Sequence, residues 1–327
     1  MKNKKKILNN IEHILLNSGN LNEKDKLLVL YDKNTKNLSK LFLDIAKNHT
    51  NNLKKIIIKG LKNHGQNVSQ MTLNIMKKST LILSICNYSL AHSKARLISS
   101  KLGARFLSLP GYSLNFIKND SINVNYKKYF FETKKISNMF SKGKKVQINC
   151  PNGTNLYLNI TNRKGNCCPG FVKKPGDLGS PPDIEANVSP IEFKSNGRAV
   201  INGSVTHPSI GKLNTKVIFE IKNGFIVDII SKNKNIEKKV KKIFKDGKNK
   251  RKILAECGIG LNPKATISGN MLTDEGSRGC VHLGFGSNYT VGGKNKVNFH
   301  VDCVIRKPSL LIDNKKIIKN GKVCRLQ

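Results

Sequence analysis

No tryptophan occurs among the 327 residues, and aromatic side chains make up only 6% of them. Arginine is scarce, and the basic residues are nearly all lysine. These shortages argue against a sequence-reading nucleic-acid protein, which uses arginine at base edges and interleaved aromatics for stacking. No continuous apolar run approaches the roughly 20 residues that cross a bilayer. No Gly-X-Gly-X-X-Gly follows the first predicted strand, so nothing points to dinucleotide binding. No Cys-X-X-Cys pair occurs, which removes the usual frame of a zinc knuckle.

What is abundant is positive charge, a formal net of +39. The lysines are scattered among Asn and Ile from end to end, which is the pattern of a compositional bias. We read it as a solvated cationic surface, with weak non-specific polyanion binding that salt abolishes. The start, MKNKKKILNNIEHILLNSG, is basic but lacks an apolar stretch of signal-peptide length. Leu8, Ile11, Leu15 and Leu16 instead fit an amphipathic helix. The expectation is a soluble, cytoplasmic protein without a membrane partner. Cys86, Cys150, Cys257, Cys280, Cys303 and Cys324 stand singly in apolar or strand-like settings, as small buried thiols do. Cys167-Cys168, followed by Pro-Gly, falls in a predicted loop, where a minor redox or pocket role stays open.

The length allows two domains with a substantial core. Residues 1–142 read as a Rossmann-like α/β domain with a leading helix. KLLVLYD (26–32), LKKIIIKG (53–60), STLILSICN (79–87) and ARFLSL (104–109) are strand signals separated by amphipathic stretches. That alternation implies parallel strands with right-handed crossovers. The segment 113–142 reads as mostly helical. From 143 to 327 the pattern becomes α+β, hairpin-rich and mixed-sheet. Asn152-Gly153, Asn196-Gly197 and Asn223-Gly224 lie between alternating runs and predict hairpin turns. A lysine-rich helix is expected over 234–247.

The chemistry concentrates in this second half. Glu185 lies in SPPDIEANVSP, Glu256 in LAECGIG, His282 in CVHLGFG, and His300 and Asp302 in FHVDCVI. On a strand, positions i and i+2 share a face, so His300 and Asp302 can grip one ion together. Singly, a strand histidine is more often a hydrogen-bonded core residue, and a glutamate beside glycine a solvated strand end. Jointly, ionisable groups on strands this apolar require pairing or a metal, because an isolated buried carboxylate is costly. The set suits Zn, Mn, Co or Fe(II), and two imidazoles with one carboxylate also match a facial iron triad. Asp274-Glu275 reads equally as a neighbour of the site and as a solvated turn. His92 reads as a local hydrogen-bonding residue before a cleft residue. The glycines of GFG (284–286) and GG (292–293) read as allowing close strand packing.

The ordered string LAECGIGLNP, DE, GCVHLGFGSNY, GG and FHVDCV, with PPDIEANVSPIE upstream, resembles the aminopeptidase T / aminopeptidase S family of metallopeptidases. SLAHSKAR and GARFLSLPG are similar to that family's N-terminal domain, and the likeness runs from about residue 25 to 306. The resemblance implies two divalent ions (Zn, Co or Mn) held by Glu185, Glu256, His282, His300 and Asp302. It makes Glu185 or Glu256 the general base and Tyr289 the active-site tyrosine. It also implies a homodimer that removes N-terminal residues from peptides. Two departures stand out: Ile184 replaces the glycine before the first glutamate, and the stretch from His282 to His300 is short. The wider superfamily holds dihydroxypyridine dioxygenases with one iron on a His-His-Asp set. The leading expectation is therefore a metalloaminopeptidase, a hydrolase. The alternative is an Fe(II) ring-cleaving dioxygenase using His282, His300 and Asp302. A third reading, prompted by the charge, is a basic binding protein with a degenerate site.

Overall fold

The computed structural model describes residues 2–62, 64–245 and 248–326. The chain divides into two compact units: residues 1–126 with 170–182, and residues 127–169 with 183–327.

In the first unit the short apolar runs become parallel strands. Leu27–Tyr31, Leu53–Ile57, Leu81–Ile85 and Arg105–Ser108 lie in the spatial order second, first, third, fourth. The inner strands are buried along almost their whole length, as a parallel sheet covered on both faces requires. The edge strand Leu53–Ile57 exposes Lys54 and Lys55, which blunts it against further pairing. Helices Lys36–Ala46, Gln70–Met76 and Lys94–Lys101 fill the crossovers. Ser69 and Ser93 cap the latter two by accepting from the Thr72 and Arg96 amides. Gly103, at φ +99°, releases the chain from the last one into its strand. The leading helix Lys2–His13 continues as a π turn, Ile14–Ser18, and buries Ile11, Ile14 and Leu15. Leu178–Gly179 returns from far along the chain as a fifth parallel strand beside Arg105–Ser108.

The helical expectation for 113–142 holds for its second part only. Tyr126–Lys142 is one helix, preceded by two short 3-10 turns. All but its first residue falls in the second unit, so the division comes at residue 126 where the sequence suggested 142. The reason is contact: a Cβ on Gly165 would lie 2.1 Å from the Ser137 carbonyl, so only glycine lets helix and strand Gly165–Cys168 meet.

The second unit is built from two antiparallel sheets. Lys145–Cys150 and Thr154–Asn159 form a hairpin around Asn152-Gly153. Val217–Lys222 and Phe225–Ser231 form another around Asn223 and Gly224, both at positive φ. Asn196-Gly197 is not a turn. It opens the strand Asn196–Ile201, which pairs on both sides. Gly197 serves backbone approach there, since a Cβ would fall 2.2 Å from the Asn155 carbonyl. The lysine-rich helix spans Lys234–Phe244, and its expected end at 246 and 247 lies outside the described residues. Phe219 from one sheet, Phe285 from the other and Phe244 from this helix meet edge to face, with centroids 5.4–5.7 Å apart. Each such pair adds about 1 kcal/mol beyond its buried area.

The seven-stranded sheet positions the chemistry. Four of its adjacent strands are His300–Ile305, Val281–Gly286, Leu254–Gly260 and Glu185–Val188. Among the described residues, no helix is long and apolar enough to cross a membrane.

Candidate metal centre

Register explains how residues so distant in sequence converge. Glu256 pairs with Gly284, Gly284 with Asp302, Gly286 with His300, Gly258 with His282, and Gly260 with Glu185. Direct partners share a face, so Glu185, Glu256, His282, His300 and Asp302 all project to one side of the sheet. Ala255, Cys257, Ile259, Leu283, Phe285, Val301 and Cys303 turn to the other side and are buried in the core.

Glycine makes room on the polar side. A Cβ on Gly258 would sit 2.0 Å from His282 Nε2. One on Gly284 would lie 2.8 Å from Asp302 Oδ1, from the Glu256 Cβ and from His300 Cε1. Gly258 and Gly284 form the floor of the site; the sequence reading gave Gly284 to close strand packing and left Gly258 unmentioned. Alternation with Glu256 and His282 was the available signal.

Two groups share Glu256. Its Oε2 is 3.5 Å from His300 Nε2, which lies 3.2 Å from Asp302 Oδ1. Its Oε1 is 3.8 Å from His282 Nε2, which lies 3.0 Å from Glu185 Oε2. Glu256, His300 and Asp302 offer ligand atoms within 4.8 Å of one another, and so do Glu185, Glu256 and His282. His300 and Asp302 are thus completed by Glu256, while His282 is grouped with the two glutamates.

The two imidazoles are held differently. His300 Nδ1 lies 2.8 Å from the Ser287 carbonyl, to which it donates as an N–H. That bond leaves Nε2 facing two carboxylates, the orientation metal-bound histidines adopt. The Ser287 segment is fixed by Asn288 and Asn295: Asn288 Nδ2 donates to Glu192 Oε1 at 2.8 Å, and Asn295 Nδ2 to the Gly286 carbonyl at 2.6 Å. His282 Nδ1 is buried and, among the described residues, has no hydrogen-bond partner. Exposure differs too. The His300 side chain is 27% accessible, whereas those of His282 and Glu185 are at 2% and 7%. An amide relay steadies Glu185: Asn187 Nδ2 donates to its Oε1 at 2.6 Å, and Asn166 Nδ2 donates to Asn187 Oδ1 at 2.8 Å.

Five of the chain's 20 acidic residues, Asp183, Glu185, Glu256, Glu275 and Asp302, stand together here. Burial pushes the Glu256 carboxyl up, and pushes Asp183 and Glu275 up further. Burial would depress the His300 imidazolium, but Asp302 and Glu256 outweigh it and hold it at about 10. Asp302 is pushed up by burial yet held below its ordinary range by His300. A neutral Nε2 lone pair aimed at two carboxylates is repulsive, so the Glu256–His300–Asp302 set calls for either a proton or a cation at one point. A divalent ion fits that donor set.

Sequence reasoning left Asp183 unmentioned and gave Glu275 equal standing as a solvated turn. The structure buries oxygens of both beside Glu185. Tyr289 stands 58% exposed with Lys296 Nζ 5.2 Å above its ring, and among the described residues no hydrogen bond joins it to the cluster. Cys168 pairs in register with Glu185 and lies 3.8 Å from Asn187 Nδ2, with its thiol pushed up by burial. Both Cys167 and Cys168 are free thiols. His92 is exposed in the first unit.

A family model described as NicX, 2,5-dihydroxypyridine 5,6-dioxygenase, matches residues 20–325. The chain belongs to this family. Among solved structures, a 2,5-dihydroxypyridine dioxygenase from Pseudomonas putida KT2440 superposes with a TM-score of 0.84 at 17% identity, covering 98% of this chain and 97% of that one. Wild-type AmpT from Thermus thermophilus superposes at 0.69 and 12% identity, covering 98% and 99%. At such identities these two likenesses are of fold. No curated protein matches the sequence. The likeness to aminopeptidase T is thus one of fold, and the family to which the chain belongs is the dioxygenase one.

Proposed function

We propose that the protein is an Fe(II)-dependent dioxygenase that opens a dihydroxylated pyridine-type ring. The observation that carries this reading is the Glu256–His300–Asp302 group, whose imidazole is locked by the Ser287 carbonyl and alone reaches solvent. Family membership supports the same chemistry. Glu256, His300 and Asp302 would hold the ion, one imidazole and two carboxylates where the sequence suggested His282 as the third ligand. Iron(II), when bound, supplies one-electron chemistry with oxygen that closed-shell side chains lack. The chain's own residues supply orientation and a proton acceptor. The Glu185–His282 pair, buried beside Glu256, can take the proton that a ring hydroxyl releases on binding. The apolar opposite face of the sheet fixes the strands that carry these groups.

A second reading keeps the leading sequence expectation, a two-ion aminopeptidase, and one observation favours it. The two oxygens of Glu256 face different imidazoles, as a carboxylate bridging two ions would. Glu185 and His282 would then complete the second ion's shell, and the metals would activate water against a peptide bond.

The test is elemental analysis of the purified chain with oxygen uptake on 2,5-dihydroxypyridine and hydrolysis of aminoacyl chromogenic substrates. One iron per chain with oxygen consumption is the expected result. Two zinc, cobalt or manganese ions with chelator-sensitive hydrolysis and no oxygen uptake would overturn it in favour of the peptidase.

A further inference from the structure

We infer that Asp183, Glu185 and Glu275 form an all-oxygen pocket for a hard divalent cation of the Ca²⁺ or Mn²⁺ type, adjoining the imidazole-containing groups and sharing Glu185 with one of them. Neither functional reading above uses Asp183 or Glu275, so the inference goes beyond both.

The pocket is built, not a chance grouping of acids. Asp183 and Glu185 are i and i+2 on extended chain, and the Ile184 carbonyl between them accepts from the Leu261 amide at 2.7 Å. That bond ties the segment to the Leu254–Gly260 side of the sheet and sends both carboxylates to the polar face. Glu275 arrives from above at the end of the helix Met271–Glu275. Asn270 caps that helix, and Asp274 anchors it by accepting from the Ser268 and Gly269 amides at 2.7 and 2.9 Å. Two glycines let this segment settle onto the sheet. A Cβ on Gly260 would fall 2.5 Å from the Glu275 carbonyl oxygen, and one on Gly276 would fall 2.9 Å from Asp183 Oδ1.

The three side chains then offer ligand oxygens within 4.8 Å of one another. Calcium–oxygen bonds of roughly 2.3–2.6 Å place opposed ligands about 5 Å apart, so one such ion spans the group. Among the described residues, Asp183 Oδ1 and Glu275 Oε1 are buried without a hydrogen-bond partner, while Glu185 Oε2 faces His282 Nε2 at 3.0 Å. Asp183 and Glu185 are each only 6% exposed. Glu185 has the His282 imidazole beside it, but among the described residues no cationic side chain forms an ion pair with Asp183 or Glu275, in a chain whose formal charge is +39. Buried carboxylates without a cation must take up protons or a metal. A donor set of oxygen alone selects hard ions, whereas each of the two groups that share Glu256 contains an imidazole and suits borderline ones.

The experiment uses the full chain, first loaded with Zn²⁺ to fill the imidazole-containing groups, then titrated with Ca²⁺ by calorimetry. Wild type should bind one Ca²⁺ per chain. Asp183→Asn and Glu275→Gln should each weaken that binding by at least about tenfold while zinc content and circular dichroism stay unchanged. Absence of Ca²⁺ uptake by wild type overturns the inference, and that arm needs no variant to fold. Uptake undiminished in both variants overturns it too. So does a protonated-carboxyl infrared band, lost in Asp183→Asn, that Ca²⁺ fails to remove from wild type.

Discussion

Gly258 lies directly across the sheet from His282, so close that a methyl group at 258 would stand 2.0 Å from the imidazole Nε2. Sheet register and site geometry are therefore one property: the histidine occupies the space a side chain on the neighbouring strand would fill. Gly258→Ala should displace His282 and destabilise the fold by about 1–3 kcal/mol through overpacking. Denaturant titration measures the stability loss. An unchanged midpoint together with unchanged metal content would show that the imidazole has room to move.

Removing His300 tests the centre at its accessible end. His300→Ala should lower metal affinity more than about a hundredfold, beyond the effect typical of a supporting residue, and abolish oxygen uptake. His282→Ala should retain one iron per chain. Loss of the iron in His282→Ala would mean that the ion sits deeper than the Ser287-anchored imidazole.

Asn187 gives a sharper division between one ion and two. It donates to Glu185 Oε1 at 2.6 Å and is itself held by Asn166. If Glu185 binds a second ion, Asn187→Ala should weaken that ion about 10–100-fold. On the one-iron reading iron content stays the same, and equilibrium dialysis separates the two outcomes.

Acidity provides a fourth measurement, on protein stripped of metal. His300 is held at about 10 when folded, against about 6.5 in an unfolded chain. A raised value means that protonated His300 favours the folded state. Its contribution is complete below about pH 6.5 and disappears as pH climbs through about 10. Denaturant midpoints of the stripped protein should therefore fall between about pH 6.5 and about pH 10, and the fall should shrink in His300→Asn. A metal competing for Nε2 must displace that proton, so its apparent affinity should rise over the same interval. An affinity flat with pH would place the ion away from His300.

Much of this architecture could be read from the chain because the signals are local. The parallel strands announce themselves as short apolar runs, and Asn223-Gly224 needs only its own backbone conformation to make a turn. His300 and Asp302 share a face through strand alternation alone. Asn196-Gly197 misled because the same dipeptide also suits a place where two strands approach closely, and the approaching atom, the Asn155 carbonyl, is far away in sequence. Gly258, Gly284, Asp183 and Glu275 escaped for a related reason. Their roles depend on which residue lies opposite, and register is settled by the whole sheet. The grouping of Glu256 with His300 and Asp302 is likewise a matter of register: Glu256, Gly284 and Asp302 lie in one cross-strand row, and Gly284 between them has no side chain to block the approach.

The excursion of residues 170–182 has a consequence for anyone dissecting this protein. The polypeptide leaves one unit, lends Leu178–Gly179 to the other unit's sheet, and returns at Asp183, two residues before Glu185. No single scission yields two whole pieces: a fragment beginning at 183 lacks the helix and strands of 127–169, and one ending at 126 lacks its last strand. Fragment complementation, not simple truncation, is the route to studying either part alone.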